Sequence, residues 1–269
     1  MEQQGFLEIK RARRNLVLGL IIAIVAVDSI VLLTAGSDLE AMLSDISRIG
    51  TIGAASALSL VVVGRQKIKG LFGRAYLALS VGLILWLVAE SIWGYYELVL
   101  GIETPFPSIA DAFWLAAYIP IGYHMFGTAK FFGKGVKKSI IIIVTAAAAM
   151  YLAFYVQEIV NVSELEGADA LVAFSISVAY PVLDAILIVP AVLIITNAGK
   201  GQLTSIPWVF VAMILLIIAD SLLGLSQVTN FSSETYHITM IYDASYLCFM
   251  AGLIWYNKQF ILDMRKMVK

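Results

Sequence analysis

The chain has 269 residues, of which 61% are hydrophobic and 14% charged, whereas a soluble globular protein carries roughly 25% charged residues. Its formal net charge of −1 argues against a nucleic-acid partner. The single cysteine, Cys248, lies in an apolar run, which excludes a disulfide framework and a cysteine-based zinc cluster. The composition therefore predicts an all-α, polytopic membrane protein, with residues 1–269 forming one integral membrane domain in a lipid bilayer.

Eight apolar stretches are candidates for transmembrane helices. The second is short and rich in glycine, alanine and serine, which suits close packing against other helices better than contact with lipid. No lysine or arginine is expected deep in any span. The predicted spans cover about residues 15–35, 48–63, 76–100, 109–127, 139–156, 171–196, 206–228 and 236–256.

The basic residues predict the orientation, because lysine and arginine concentrate in cytoplasmic segments. With eight spans, the basic segments all fall on one side of the membrane, and Arg48 alone falls on the other. Both termini are therefore predicted to be cytoplasmic, in the cell membrane. Two Asn-x-Ser sequons, at Asn161 and Asn230, fall in the opposite loops, and the sequence leaves open whether either carries a glycan. The segregating residues are Lys10, Arg11, Arg13, Arg14, Arg65, Lys67, Lys69, Arg74, Lys130, Lys134, Lys137, Lys138, Lys200, Lys258, Arg265, Lys266 and Lys269.

Two hairpins of the chain resemble each other. Ala-Glu-Ser at 89–91 in span three matches Ala-Asp-Ser at 219–221 in span seven, and Asp-Ala at 111–112 in span four matches Asp-Ala at 243–244 in span eight. Because the matched spans lie four apart, they run in the same direction. The pattern predicts a 4+4 parallel repeat, with halves of about 15–127 and 139–256.

Several carboxylic acids lie inside the predicted spans, where an ionised group is costly unless it is paired, hydrated or hydrogen-bonded. We predict that five of them line one polar cavity for a ligand or ion: Glu90, Asp111, Asp184, Asp220 and Asp243. Asp184 is expected to form the floor of that cavity. Structural roles are alternatives, because Ser108 and Asp111 have the spacing of a helix capping box and Asp220 and Asp243 could accept bonds from Ser or Tyr hydroxyls.

Large aromatic residues lie near the outer ends of the spans, opposite the side of the basic segments. Trp93, Tyr96 and Tyr242 are candidates for the lining of the cavity, since aromatic faces beside carboxylates suit a cationic guest. The alternative is an ordinary aromatic belt at the membrane surface.

The sequence resembles a known family over roughly residues 74–256. The motifs are Glu90 and Trp93, then Pro-Phe-Pro-Ser-x-Ala-Asp-x-x-Trp-Leu-x-x-Tyr from Pro105 to Tyr118, then Ala-Tyr-Pro-x-x-Asp ending at Asp184. They are similar to the multi-span, sensory-type membrane domain found N-terminal to bacterial diguanylate cyclase (GGDEF) signalling proteins. The resemblance implies a sensing role. No predicted loop or tail in these 269 residues is long enough for an output domain, so we expect signalling to pass through a partner.

Three functions are consistent with these observations. The first is a non-enzymatic, sensor-like module that binds a ligand or ion and acts through a protein partner in the membrane or the cytoplasm. The second is an accessory or structural subunit of a larger membrane complex, and the third is a cation- or proton-coupled transporter. The sequence predicts no catalytic residue, no metal site and no cofactor.

Overall fold

The computed structural model describes residues 2–102, 106–132, 136–162, 168–198, 207–229, 236–258 and 261. The described residues form eight α-helices and no strand, which confirms the all-α prediction. The helices are α1 (Glu2–Thr34), α2 (Glu40–Gln66), α3 (Gly70–Leu98), α4 (Ile109–Phe132), α5 (Lys138–Val162), α6 (Ala168–Ala198), α7 (Pro207–Thr229) and α8 (Tyr236–Tyr256).

Each predicted span overlaps one helix, but some helices begin earlier than the apolar pattern indicates. The largest consequence is in α2, which begins at Glu40 rather than near Arg48. Arg48 therefore lies in the third turn of a helix and not at its edge. α6 remains helical through both Pro181 and Pro190.

Six of the described helices are long and apolar enough to cross a membrane: α1, α2, α3, α5, α6 and α8. α7 contains a shorter apolar helical segment, Trp208–Gly224. α4 carries Asp111, Pro120 and His124 among its apolar residues and is not one of these six helices. The fold is thus a membrane-type helix bundle.

The bundle has central and peripheral helices. In the apolar window of α8, 72% of the residues are buried, against 11% in the windows of α1 and α5. The exposed faces of α1 and α5 carry large apolar residues such as Leu33 and Ile142, as a surface in contact with lipid requires. Fully buried large side chains come mainly from the central helices: Leu79, Leu83, Trp86, Ile121, Met125, Phe210, Met213 and Phe249.

α3 and α4 form a close hairpin that depends on Gly82. A Cβ atom at Gly82 would collide with the Ile121 side chain and lie 3.4 Å from the Ala117 carbonyl oxygen. Small residues permit such close approach between helices in a membrane, where van der Waals packing drives association. This hairpin holds Glu90 and Asp111 at the same end of the bundle.

The contacts between helices follow a regular order. α3 packs on α2 and α4, and α7 packs on α6 and α8. Across the bundle, α8 packs on α2 and α4 packs on α6. α8 therefore contacts α2, the helix before the α3–α4 hairpin, and α4 contacts α6, the helix before the α7–α8 hairpin.

Candidate functional site

A cavity of about 500 Å³ lies between the helices, at the end of the bundle that carries Asp38 after α1 and Phe106 before α4. Asp38, Glu40 and Phe106 lie at its mouth, and Trp86 and Tyr118 lie at its deep end. Trp86 and Glu97 both line it from α3, and their separation of 11 residues corresponds to a depth of about 16 Å along the helix axis. The cavity is deep enough to hold a small organic molecule.

Glu90 lies on the wall of the cavity and has two kinds of partner. The Tyr246 hydroxyl donates a hydrogen bond of 2.8 Å to Glu90 Oε1, and Arg48 Nε lies 3.9 Å from Glu90 Oε2. Arg48 also donates a hydrogen bond to Asp45. The prediction that no basic residue lies deep enough to pair with these acids is wrong, because the early start of α2 carries Arg48 into the bundle.

Asp111 has a structural partner and a cavity-facing partner at once. Its Oδ2 accepts a 2.7 Å bond from the Ser108 backbone N–H, and the Ala110 N–H donates to the Ser108 hydroxyl at 3.2 Å. This is the reciprocal capping pattern that the sequence indicates. Asp111 Oδ1 accepts a 2.9 Å bond from the Tyr180 hydroxyl on α6. The capping role thus leaves one carboxylate oxygen directed at the cavity residues.

Asp220 and Asp184 share a tyrosine. The Tyr118 hydroxyl lies 2.7 Å from Asp184 Oδ1 and 3.2 Å from Asp220 Oδ2. The Tyr242 hydroxyl donates a 2.6 Å bond to Asp220 Oδ1. Asp220 lines the cavity, whereas Asp184 is buried behind Tyr118 and does not reach the cavity surface. The floor is therefore formed by Tyr118 and not, as predicted, by Asp184, which lies behind it.

Asp243 faces away from the cavity. Its carboxylate accepts bonds from the hydroxyls of Ser47 and Thr51 on α2, each 2.7 Å long. Asp243 is fully buried and is not part of the cavity lining. The alternative reading of this residue, a structural bond to hydroxyl groups, matches the observed contacts.

Aromatic rings form much of the wall. The Trp93 and Trp114 rings have centroids 5.5 Å apart, and the Tyr242 and Tyr246 rings stack at 6.4 Å. All four rings line the cavity. Tyr96 was predicted to line it as well, but its ring packs on the neighbouring Tyr95 and lies outside the lining.

The structure thus brings Glu90, Asp111 and Asp220 to one cavity and places Asp184 and Asp243 outside its surface. Sequence reasoning missed the tyrosine partners and Arg48. The sequence did indicate Tyr118, because this residue follows Asp111 by seven residues, or two helical turns, and therefore lies on the same helix face. Tyr242 and Tyr246 are four residues apart, so they also share one face of their helix.

Ser44 and Arg48 each have, at the cavity, a polar group without a hydrogen-bond partner among the described residues. Ser44 is 6% exposed and lines the cavity, yet its hydroxyl has no partner. Arg48 Nε also has none. Buried polar groups are normally satisfied, so unsatisfied groups facing a cavity indicate room for a polar guest or for water.

No group of three or more His, Cys, Asp or Glu side chains within the described part of the chain could hold a metal ion. Comparison with protein-family models, with curated proteins and with solved structures finds no match to this chain.

Proposed function

We propose that this chain is a non-enzymatic, sensor-like membrane module that binds a small organic cation in the cavity and acts through a protein partner. The observation that carries the proposal is the charge of the cavity. Its described lining holds six carboxylates, those of Asp38, Glu40, Glu90, Glu97, Asp111 and Asp220, and one basic group, that of Arg48.

The single basic group does not neutralise the cavity. Arg48 is already bonded to Asp45, a buried acid beside the lining, and lies near Glu90. Among the described residues, the hydrogen bonds that Asp111 and Asp220 accept come from hydroxyl and N–H donors. Because ionised acids in a membrane interior are costly without a counter-charge, a bound cation would relieve that cost.

The aromatic walls favour an organic cation over a simple metal ion. Trp93, Trp114, Tyr180 and Tyr242 surround the same space as the acids. Ring faces attract ammonium groups, and rings also bury the hydrocarbon part of a ligand. An amine or quaternary ammonium with an apolar group fits both parts of the lining, and the resemblance to sensory membrane domains supports a role in sensing.

The first prediction concerns charge selectivity. Purified protein in lipid nanodiscs is expected to bind benzyltrimethylammonium, and to bind neutral benzyl alcohol and anionic phenylacetate at least about tenfold more weakly. Isothermal titration calorimetry measures the three affinities. Equal binding of the anion and the cation, or no binding of any probe, would overturn the proposal.

We infer also that all eight helices cross the bilayer, with both termini cytoplasmic, and that the two halves form a parallel repeat. α4 has 24 residues and α7 has 23, which correspond to about 35 Å each at 1.5 Å per residue, enough to cross the hydrocarbon core. The helix contacts support the repeat, because α8 packs on α2 as α4 packs on α6, and α7 packs on α8 as α3 packs on α4.

Cysteine mapping tests this topology in a Cys248→Ser background. Ile102→Cys and His237→Cys, beside the two hairpin loops, are expected to react with an impermeant thiol reagent on intact cells. Lys137→Cys, between α4 and α5, is expected to react only after the cells are permeabilised. Reaction of Lys137→Cys from outside would invert the proposed orientation, and opposite labelling of the two hairpin positions would exclude a parallel repeat.

Two alternatives have their own support. Gly50, Ala54 and Ala57 lie exposed on α2, where small residues let a neighbouring helix pack closely. A stoichiometric membrane partner that co-purifies, and is lost in Ala54→Leu, would favour an accessory subunit. The hydrogen bonds between the two halves would suit a transporter, and cation flux in liposomes that Asp184→Asn abolishes would favour that function.

A further inference from the structure

The hydroxyl of Tyr118 lies between two carboxyl groups at the deep end of the cavity. Asp184 Oδ1 is 2.7 Å away and Asp220 Oδ2 is 3.2 Å away. Asp184 is 1% exposed and Tyr118 is 4% exposed. These three groups form what we call the Tyr118 bridge, which joins α4, α6 and α7.

One hydroxyl has one proton, and that proton can serve only one of the two acids at a time. If both carboxyl groups were ionised, the acid that Tyr118 does not serve would face the lone pairs of the phenol oxygen. Two negative charges would also be separated by a single oxygen atom in a low-dielectric interior. A proton on one of the two acids removes both problems, because that acid then donates to Tyr118 while Tyr118 donates to the other.

Within the described part of the chain, no free basic group lies beside the bridge to balance the second charge. Arg48 is the only basic side chain in the described lining, and it is engaged by Asp45 and Glu90. The other titratable groups around the bridge are acids or phenols, and they come from every helix that packs on it. They are Glu90 on α3, Asp111 on α4, Tyr151 and Tyr155 on α5, Tyr180 on α6, and Tyr242 and Tyr246 on α8.

We propose that the Tyr118 bridge holds one proton before ligand binding and releases it when an organic cation enters the cavity beside Asp220. This inference rests on the proposed function. Charge is balanced in the exchange, since one positive charge enters as the ligand and one leaves as H⁺. The cation then takes the place of the proton as the counter-charge of Asp184 and Asp220.

The exchange predicts that affinity depends on pH. Because binding releases a proton, a higher pH favours the complex, and the dissociation constant is expected to fall by at most about tenfold per pH unit. Asp184→Asn removes the acid proton while its amide can still donate to Tyr118. This variant is expected to bind the cation with an affinity that no longer depends on pH.

The experiment is calorimetric titration of the full chain in nanodiscs with benzyltrimethylammonium, which has no proton of its own to release. Repeating the titration in buffers with different ionisation enthalpies gives the number of protons released per ligand bound. We expect about one for the unmodified protein, close to zero for Asp184→Asn, and about one for the control Asp243→Asn. Asp243 is an acid of the same type that lies outside the cavity lining.

The outcomes separate the two proposals. Binding without proton release in the unmodified protein overturns the exchange and leaves the cation site standing. Release of a full proton by Asp184→Asn also overturns it, because the proton would then belong to another group. Absence of any binding by the unmodified protein overturns the proposed function and the exchange together.

Discussion

Arg48→Ala is expected to destabilise the helix bundle by about 3–5 kcal/mol, the usual cost of removing one partner from a buried ion pair. The Arg48 side chain is 14% exposed, and its partners Asp45 and Glu90 are 2% and 5% exposed. Removing the guanidinium leaves both carboxyl groups buried without a counter-charge. Protonation of one acid recovers part of the lost stability, so the effect is expected to grow as the pH rises.

Unfolding of the purified protein in mixed micelles, followed by circular dichroism, measures the change. Arg74→Ala is a suitable control, because Arg74 is exposed on α3, and surface substitutions usually change stability by less than about 0.5 kcal/mol. Asp45→Asn combined with Arg48→Ala is expected to restore part of the loss. If Arg48→Ala proves as stable as Arg74→Ala, the ion pairing of Arg48 is not a structural support.

The helices were predictable from sequence because a bilayer requires long apolar segments with internal backbone bonds. Their ends were less predictable. The second span, for example, is predicted to begin at about residue 48. The helix continues outward to Glu40, since helical bonding does not stop where the apolar pattern stops.

The cavity was only partly predictable, because the sequence shows which helix carries an acid but not which way that helix is rotated. An acid inside an apolar span is easy to recognise, and three of the five acids selected on that ground, Glu90, Asp111 and Asp220, line one cavity in the structure. The direction in which a side chain points depends on how helices rotate against one another. Asp243 and Tyr246 are only three residues apart on α8, yet one bonds to α2 and the other to Glu90 on α3.

The hydroxyl partners could not be assigned, because they come from distant parts of the chain. Tyr246 is 156 residues from Glu90, and Tyr180 is 69 residues from Asp111. A tyrosine in an apolar span equally fits a membrane-surface belt, a core position or a hydrogen-bond donor. Only the packing of α4, α6 and α8 around one space selects the last of these.

Asp220→Asn is expected to weaken binding of benzyltrimethylammonium by at least about 30-fold, because loss of one member of a buried charge pair costs about 2–5 kcal/mol. The asparagine is nearly the same size as aspartate and can still accept the bond from Tyr242, so the cavity keeps its shape. Binding of neutral benzyl alcohol should therefore change little. Weaker binding of the cation with unchanged binding of benzyl alcohol would show that the variant has lost a charge but not its folded cavity.

Asp243→Asn is the matched control, since it makes the same chemical change on a neighbouring helix and outside the cavity lining. Its affinity for the cation is expected to stay within about twofold of the unmodified protein, because it removes no group from the wall. Calorimetric titration of both variants in nanodiscs at one pH gives the comparison. If the two variants lose affinity equally, the summed charge of the helix bundle attracts the cation and Asp220 is not its direct partner. If neither variant loses affinity, the cation binds elsewhere.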